Sequence, residues 1–228
     1  MKVANPQQLT ITVGHAGPAS ALLIRPADAR ACFVFAHGAG AGMTHAAMET
    51  AAHGLAERGV ATLRYQFPYM EKGSKRPDPP AVAHAAVRAA VAEAGRCCSG
   101  LRLIAGGRSF GGRMTSQAQA AAPLAGVDGL AFFGFPLHPA GKPSDDRASH
   151  LTDIKIPMLF LQGTKDKLAE LALLEPVVKR LGRKASLHLV EGADHSFHVP
   201  ARSGRNDREV LSEILDAFVG WIGAIERQ

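Results

Sequence analysis

An apolar run that passes directly into Gly-x-Ser-x-Gly is the feature that most constrains this chain. Residues 101–106 read Leu-Arg-Leu-Ile-Ala-Gly and continue into Gly107-Arg108-Ser109-Phe110-Gly111, followed by a helix-like segment over 113–122. A strand, a sharp turn and a helix hold a serine at the carboxyl edge of the strand, with its hydroxyl directed to solvent. The flanking glycines are expected because such a turn brings the backbone too close to its neighbours for a Cβ atom. The pattern predicts a nucleophilic Ser109 and therefore an enzyme.

Strand-like and helix-like segments alternate along the chain, which predicts an α/β fold with a mostly parallel sheet flanked by helices. The predicted strands are 9–13, 20–25, 31–36, 60–65, 101–106, 129–134, 158–162 and 185–190, and the predicted helices are 44–58, 79–94, 113–122, 168–181 and 208–226. The first two strands are typical of a hairpin or meander at one sheet edge. No repeat or linker interrupts the 228 residues, so we expect one domain over 1–228.

Composition indicates a cellular location and argues against several classes of partner. Residues 1–8 are polar and no apolar run approaches the roughly 20 residues of a membrane helix, so we expect neither a signal peptide nor membrane association. Three cysteines without metal-ligand spacing favour the cytoplasm and predict no metal site. The net charge of +6 is scattered, with only residues 72–76 locally dense, which argues against nucleic-acid binding. The oligomeric state, monomer or small homo-oligomer, stays open.

A serine hydroxyl needs an adjacent base, normally a histidine held by a carboxylate. Asp166 follows the predicted strand 158–162 in the turn Gly163-Thr164-Lys165-Asp166, and His195 follows the last strand in Gly192-Ala193-Asp194-His195. Both therefore come to the same sheet edge as Ser109, in the chain order serine, acid, histidine. We predict Ser109, Asp166 and His195 as the catalytic residues.

Other residues compete for these roles. His198 shares the loop of His195, whereas His188 falls inside the last strand, where a packing role is expected. Asp145 or Asp146 is the alternative acid if Asp166 points away. Asp194 is adjacent to His195, so it is expected to brace the loop rather than to orient the imidazole.

The oxyanion of an acyl-transfer intermediate requires two backbone N–H groups. One is expected from Phe110, the residue after the nucleophile. The other is expected from the small-residue loop His37-Gly38-Ala39-Gly40-Ala41-Gly42, with Ala39 preferred and Gly40 second. A phosphate-binding role for this loop is not favoured, because no Gly-Lys-Ser/Thr follows it and Gly-x-Gly-x-x-Gly is absent.

Two irregular stretches, 66–78 and 135–146, follow strands and should lie at the carboxyl edge, where ligands bind in open α/β sheets. We expect Phe67, Tyr69 and Phe135 to line the substrate pocket, with simple loop packing as the alternative. Arg108 and Arg113 flank the serine. Either could hold a substrate carboxylate, and the alternative is that the residue before the nucleophile braces the turn.

The chain resembles the α/β-hydrolase superfamily, and within it the small, lidless, dienelactone-hydrolase-like group. It is also similar to the hydrolase-like domain of a subunit of the NSL histone-acetyltransferase complex. The residues that carry the likeness are His37-Gly38-Ala39-Gly40-Ala41, Arg64-Tyr65-Gln66-Phe67-Pro68-Tyr69 followed by Pro77-Asp78, Gly107-Arg108-Ser109-Phe110-Gly111-Gly112-Arg113, Leu161-Gln162-Gly163-Thr164-Lys165-Asp166 and Gly192-Ala193-Asp194-His195-Ser196-Phe197. The resemblance implies an eight-stranded sheet and a Ser-Asp-His triad. Dienelactone hydrolases proper use cysteine where this chain has Ser109, so their lactone ring-opening does not transfer.

These observations predict a serine hydrolase that cleaves a small ester, thioester or similar acyl compound through an acyl-enzyme, with no cofactor. The short stretch between Gly134 and Ile156 leaves no room for a sizeable cap domain. The alternative from a different class is a catalytically silent binding or scaffolding module with the same fold. A peptidase is not favoured, because nothing in the sequence resembles a propeller or lid.

Overall fold

The computed structural model describes residues 5–225. Residues 1–4 and 226–228 lie outside the described residues, so half of the polar segment 1–8 and Glu226, the predicted last residue of the final helix, are not covered. The strands are β1 (Gln7–Thr12), β2 (Pro18–Ile24), β3 (Ala31–Ala36), β4 (Val60–Tyr65), β5 (Arg102–Arg108), β6 (Val127–Phe133), β7 (Met158–Gly163) and β8 (Ala185–Val190).

The eight strands form one sheet in the order β1-β2-β4-β3-β5-β6-β7-β8. The pairs β1/β2 and β2/β4 are antiparallel, and every other neighbouring pair is parallel. The predicted antiparallel start and parallel remainder are therefore confirmed. Strands β3, β4 and β7 are buried at every residue, as strands with helices on both faces should be.

Helices cover both faces of the sheet. They are α1 (Ala46–Ala56), α2 (Pro68–Glu71), α3 (Pro80–Cys97), α4 (Phe110–Ala121), α5 (Leu171–Leu181) and α6 (Asp207–Ile225). Helices α1 and α6 pack on one face, and α3, α4 and α5 pack on the other. Alternation along β3 shows the two cores: Phe33 and Phe35 point to the α1/α6 side, whereas Cys32 and Val34 point to the α3/α4 side.

The register places the ends of the parallel strands along one edge. Ala36 at the end of β3 pairs with Gly107 of β5, Arg108 pairs with Phe133 of β6, and Gly163 of β7 pairs with Val190 of β8. Side chains that follow β5, β7 and β8 must therefore emerge beside one another. This edge is where an open α/β sheet binds its ligands.

Between β6 and β7 the described chain holds only a loop and the 3₁₀ helix Asp146–Asp153. The expectation that no sizeable cap domain fits there is confirmed. Among residues 5–225, none of the helices combines the length and the apolar character that a bilayer crossing would need.

Candidate active site

Ser109 stands between the last residue of β5 and the first residue of α4. Its backbone has φ 49° and ψ −115°, an unfavourable region for a residue with a side chain. The turn is held in place because the Ser109 N–H donates to the Phe133 carbonyl oxygen at 3.2 Å, while the Ser109 carbonyl oxygen accepts from the Arg113 N–H at 3.1 Å. The side chain is half-buried, so its hydroxyl borders the cavities described below.

The glycines around Ser109 are required because neighbouring backbone atoms lie too close for a Cβ atom. A Cβ atom on Gly107 would lie 2.4 Å from the Ala36 carbonyl oxygen, and one on Gly111 would lie 2.6 Å from the His37 carbonyl oxygen. Both distances are shorter than non-bonded atoms tolerate. The tight turn thus brings α4 against the end of β3, which also places the loop after β3 beside Ser109.

Ser109, His195 and Asp166 form a hydrogen-bonded row. The Ser109 Oγ lies 2.8 Å from His195 Nε2, and His195 Nδ1 lies 2.6 Å from Asp166 Oδ2. The three residues are 57 and 29 positions apart along the chain, yet the ends of β5, β7 and β8 bring them together. The carboxylate side chain is fully buried, whereas the imidazole is 23% exposed, so solvent reaches the row only from the histidine and serine side.

The carboxylate of Asp166 has partners on both oxygens. Its Oδ2 also accepts from Gln162 Nε2 at 2.5 Å, and its Oδ1 accepts from the Leu168 N–H at 2.8 Å. Gln162 is itself fixed because its Oε1 accepts from the Phe135 N–H at 2.9 Å. These contacts fix the position of the Asp166 side chain, so that its Oδ2 faces His195 Nδ1.

The loop that carries His195 is braced from two sides. Asp194 Oδ1 accepts from the N–H groups of Ser196 at 2.7 Å and His198 at 3.0 Å, as expected for a loop-bracing residue. Arg108 Nη2 donates to the Ser196 carbonyl oxygen at 3.2 Å. This contact supports the bracing interpretation of Arg108. Burial lowers the pKa of the Arg108 guanidinium, although the nearby Asp194 charge acts in the opposite direction.

The competing residues have other partners. His198 pairs with Asp207 at 2.9 Å, and this hydrogen bond raises the pKa of His198. His188 contacts Glu213 at 3.0 Å from within β8. Asp145 pairs with Arg180 at 3.0 Å, away from His195. Asp146, at the start of the 3₁₀ helix, has its N–H bonded to Ser144 Oγ.

The two amides preferred for the oxyanion lack protein acceptors. Among residues 5–225, no protein group accepts a hydrogen bond from the N–H of Ala39 or of Phe110. Gly40, the second choice in the loop, differs because its N–H donates to Tyr69 Oη at 3.1 Å. A Cβ atom on Gly38 would lie 3.8 Å from Ser109 Cβ, so this loop is in contact range of the serine.

The loop after β3 is tethered to the segment after β4. His37 is fully buried, its Nδ1 lies 2.8 Å from the Gly38 carbonyl oxygen, and its Nε2 accepts from the Phe67 N–H at 3.1 Å. Burial lowers the pKa of His37, although the Gly38 contact acts in the opposite direction. A neutral imidazole with one donor and one acceptor nitrogen satisfies both contacts.

The expected pocket aromatics require a correction. Phe67 and Phe135 are fully buried and Tyr69 is 2% exposed, and none of the three lines a cavity at Ser109. Tyr65, Phe67 and Tyr69 all join the core on the α3/α4 side, beneath Phe110. The rings come so soon after a buried strand that they continue its packing. The two loops do reach the predicted edge of the sheet, but the residues that they contribute to the cavity lining are Pro77, Asp78 and Pro136.

Two cavities border Ser109. The first, which we call the arginine cavity, has a volume of about 350 Å³ and is lined by Ser109, Asp78, Arg113 and Arg147 among others. The second, the histidine cavity, has a volume of about 280 Å³ and is lined by Ser109, His195 and Arg108 among others. Ala39 contributes to both. The serine therefore separates two compartments with different chemistry.

Sequence reasoning missed Arg147, which the 3₁₀ helix Asp146–Asp153 brings to the arginine cavity. In the sequence, only its place between the strands β6 and β7 could have indicated that Arg147 lies near the site. Arg113 stands one helical turn after Ser109, with its guanidinium carbon 5.9 Å from the Phe110 ring centroid. Burial lowers the pKa of Arg113, and the charge of Arg147 lowers it further.

The sheet order and the strand–turn–helix around Ser109, with histidine and aspartate at neighbouring strand ends, define a protein with α/β-hydrolase architecture. The chain belongs to the α/β-hydrolase domain family, whose model, described as an alpha/beta hydrolase domain, matches residues 29–223.

Solved structures of similar fold cover nearly the whole chain. A dienelactone hydrolase from Anabaena variabilis has a TM-score of 0.77 at 20% identity, over 97% of this chain and 99% of that one. XC6422 from Xanthomonas campestris, described as a serine hydrolase without lid, has a TM-score of 0.73 at 19% identity, over 96% and 95%. A serine hydrolase homologue from Coxiella burnetii has a TM-score of 0.74 at 21% identity, over 95% and 99%. The expected likeness to dienelactone hydrolases is confirmed at the level of the fold, and the narrower resemblance to the NSL subunit stays a prediction.

Proposed function

We propose that this hydrolase-family protein is a serine hydrolase that cleaves a small ester, thioester or similar acyl compound. The observation that carries the proposal is the row from Ser109 Oγ to His195 Nε2 at 2.8 Å and from His195 Nδ1 to Asp166 Oδ2 at 2.6 Å. This is the arrangement of alcohol, base and orienting acid that makes a serine nucleophilic near neutral pH. Two solved structures of similar fold are described as serine hydrolases or their homologues, which agrees with the proposal.

In the proposed reaction, Ser109 Oγ attacks the substrate carbonyl carbon while its proton passes to His195 Nε2. The bond to the leaving group then breaks, and His195 gives the proton to the leaving-group atom. The remaining acyl group is bound to Ser109 as an ester. Water attacks this ester with His195 again as base, which releases the acid and restores the serine. Asp166 holds the imidazole and stabilises its positive charge throughout.

The Ala39 and Phe110 N–H groups are the proposed donors to the developing oxyanion. They suit this role because neither has a protein acceptor in the described chain, whereas the Gly40 N–H is occupied by Tyr69 Oη. Tyr69 and His37 would then act by positioning the loop that carries Ala39. A preformed donor pair costs no reorganisation when the charge develops.

A fluorophosphonate probe tests the proposal, because it reacts covalently only with an activated serine. We expect labelling of the native protein and loss of labelling in Ser109→Ala, together with at least a ~10³-fold loss of turnover on 4-nitrophenyl esters. Ser116→Ala is the matched control. Ser116 also sits 2.8 Å from a histidine, His150, but is fully buried, so its removal should leave labelling intact.

The same experiment separates the enzyme from a silent scaffold of the same fold. A folded native protein that neither reacts with the probe nor hydrolyses any short-chain 4-nitrophenyl ester would favour the scaffold. Labelling that persists in Ser109→Ala would assign the reaction to another residue.

A further inference from the structure

Arg113 and Arg147 line the arginine cavity without an acidic partner. Neither guanidinium forms an ion pair or a hydrogen bond within the part of the chain that the structure describes. The Nε of Arg113 is buried and has no acceptor. A buried donor without an acceptor costs free energy, and so do two unneutralised like charges beside each other. An anion placed between the two groups would remove the cost of the two like charges.

The other charged groups near this cavity do not neutralise the pair. Asp78 lines the same cavity, but its Oδ2 accepts from the Tyr69 N–H at 2.8 Å, and it is not in ion-pair contact with either arginine. His150 sits behind Arg113 against Ser116. Burial and the Arg113 charge lower the pKa of His150 to about 4, so it is neutral at pH 7. The cavity therefore keeps a net positive charge of about one.

The position of His195 decides which part of a substrate enters which cavity. The inference rests on the proposed function, in which His195 Nε2 protonates the leaving group. His195 lines the histidine cavity and is not part of the arginine cavity wall. The leaving group therefore lies in the histidine cavity, and the acyl chain extends on the other side of Ser109 toward Arg113 and Arg147.

We propose that the arginine cavity binds a carboxylate at the far end of the acyl group, so that the substrates are half-esters or half-thioesters of short dicarboxylic acids. Guanidinium groups bind carboxylates through parallel N–H···O hydrogen bonds. Arg113 and Arg147 both line the cavity and have no acidic partner in the described chain, so their guanidinium groups are available for such a pair. The volume of about 350 Å³ fits a short acyl chain rather than a long one.

A matched pair of esters tests the proposal: 4-nitrophenyl hydrogen glutarate, which carries the terminal carboxylate, and 4-nitrophenyl pentanoate, which does not. We expect kcat/KM for the half-ester to exceed that for the neutral ester by about 10-fold or more at low salt, because charge-assisted hydrogen bonds contribute that much. The ratio should decrease in Arg113→Met and in Arg147→Met by a similar factor. It should also decrease as salt screens the charges.

Arg183→Met is the control, because Arg183 is an exposed arginine outside both cavities, and its removal lowers the net charge equally. The ratio should be unchanged in this variant. A native ratio near one, or a ratio that neither cavity variant lowers, would overturn the acyl-carboxylate assignment while leaving the hydrolase proposal intact. Loss of probe labelling at Ser109 would instead count against the hydrolase proposal.

A binding measurement keeps the inference testable without turnover. Ser109→Ala should bind the glutarate half-ester in calorimetry, and adding Arg113→Met should weaken this binding about 10-fold or more. Failure of Ser109→Ala to bind the half-ester more tightly than the pentanoate would overturn the proposal. Inorganic phosphate serves as the second anion, and competition by phosphate stronger than that by glutarate would reject a carboxylate as the ligand.

Discussion

The two sides of Ser109 differ in whether their polar side chains have partners. On the histidine side, His195 and the buried Asp166 have hydrogen bonds at each polar atom that faces the protein, and Arg108 braces the loop through Ser196. On the arginine side, Arg113 and Arg147 have neither an acceptor nor an ion-pair partner within residues 5–225. The polar groups on the histidine side thus have their partners within the protein, whereas the two arginines on the other side do not.

This difference corresponds to two kinds of task. Under the proposed function, His195 transfers a proton and must be held in one geometry before the substrate arrives, and the hydrogen bonds around Asp166 suit that task. Groups that bind a charged substrate must keep donors free until the substrate arrives, at a cost in stability. We infer that the arginine side carries unfavourable electrostatic energy that a ligand relieves.

Asp166→Asn breaks the partnered side and has the largest expected effect. An amide cannot accept from His195 Nδ1, Gln162 Nε2 and the Leu168 N–H together, because one of its two ends is itself a donor. In one orientation the amide nitrogen faces the Leu168 N–H, and in the other it faces Gln162 Nε2 and His195 Nδ1, which drives the imidazole to the wrong tautomer. We expect kcat on a neutral 4-nitrophenyl ester to decrease by about 10³- to 10⁴-fold.

The control for this variant is Asp207→Asn, which removes an exposed carboxylate paired with a different histidine, His198. Turnover should be nearly unchanged there. A decrease of less than about 10-fold in Asp166→Asn, with folding verified by circular dichroism, would show that the carboxylate does not orient the base.

The partnered side was predictable from sequence, and the unpartnered side was not. Ser109, Asp166 and His195 each follow a recognisable strand, and parallel strands must end at one edge, so their meeting follows from topology. Chain connectivity thus gives the positions of these three residues without any knowledge of side-chain packing.

Cavity walls depend on packing instead. Phe67 and Tyr69 resemble pocket residues by type, but like Tyr65 they are buried in the core on the α3/α4 side of the sheet. Arg147 comes from a 3₁₀ helix whose orientation depends on contacts with α4 and α5. The absence of a partner for Arg113 could not be known without the positions of all nearby carboxylates.

The lowered pKa of His150 matters to the arginine side, because a neutral His150 adds no third positive charge there. Burial first, and then the Arg113 charge, lower its pKa from 6.5 to about 4, with a smaller contribution from His84 and an opposing one from Asp153. Between these two values the unfolded chain binds more protons than the folded one. The free energy of unfolding should therefore decrease as pH falls from about 6.5 to about 4, by at most about 3 kcal/mol from this group.

Denaturant unfolding at several pH values between 4 and 7.5 measures this effect in the native protein and in His150→Gln, which keeps a polar group near Ser116 but does not titrate. The stability difference between the two proteins should shift in favour of the glutamine variant as pH falls. Parallel pH curves for the two proteins would contradict the assignment of a depressed pKa to His150.

Arg113→Met gives the smallest expected effect and compares the two kinds of arginine directly. Arg113 has no polar partner, so its removal should leave the free energy of unfolding unchanged or raise it by about 1 kcal/mol. Arg58→Met is the matched change at a partnered arginine, whose guanidinium bonds Asp216 at 2.7 Å, Ser212 at 2.8 Å and the Gly54 carbonyl oxygen at 3.0 Å. That variant should lose about 1–2 kcal/mol. Equal losses at both positions, measured by urea unfolding at pH 7, would mean that Arg113 stabilises the fold and is not held free for a ligand.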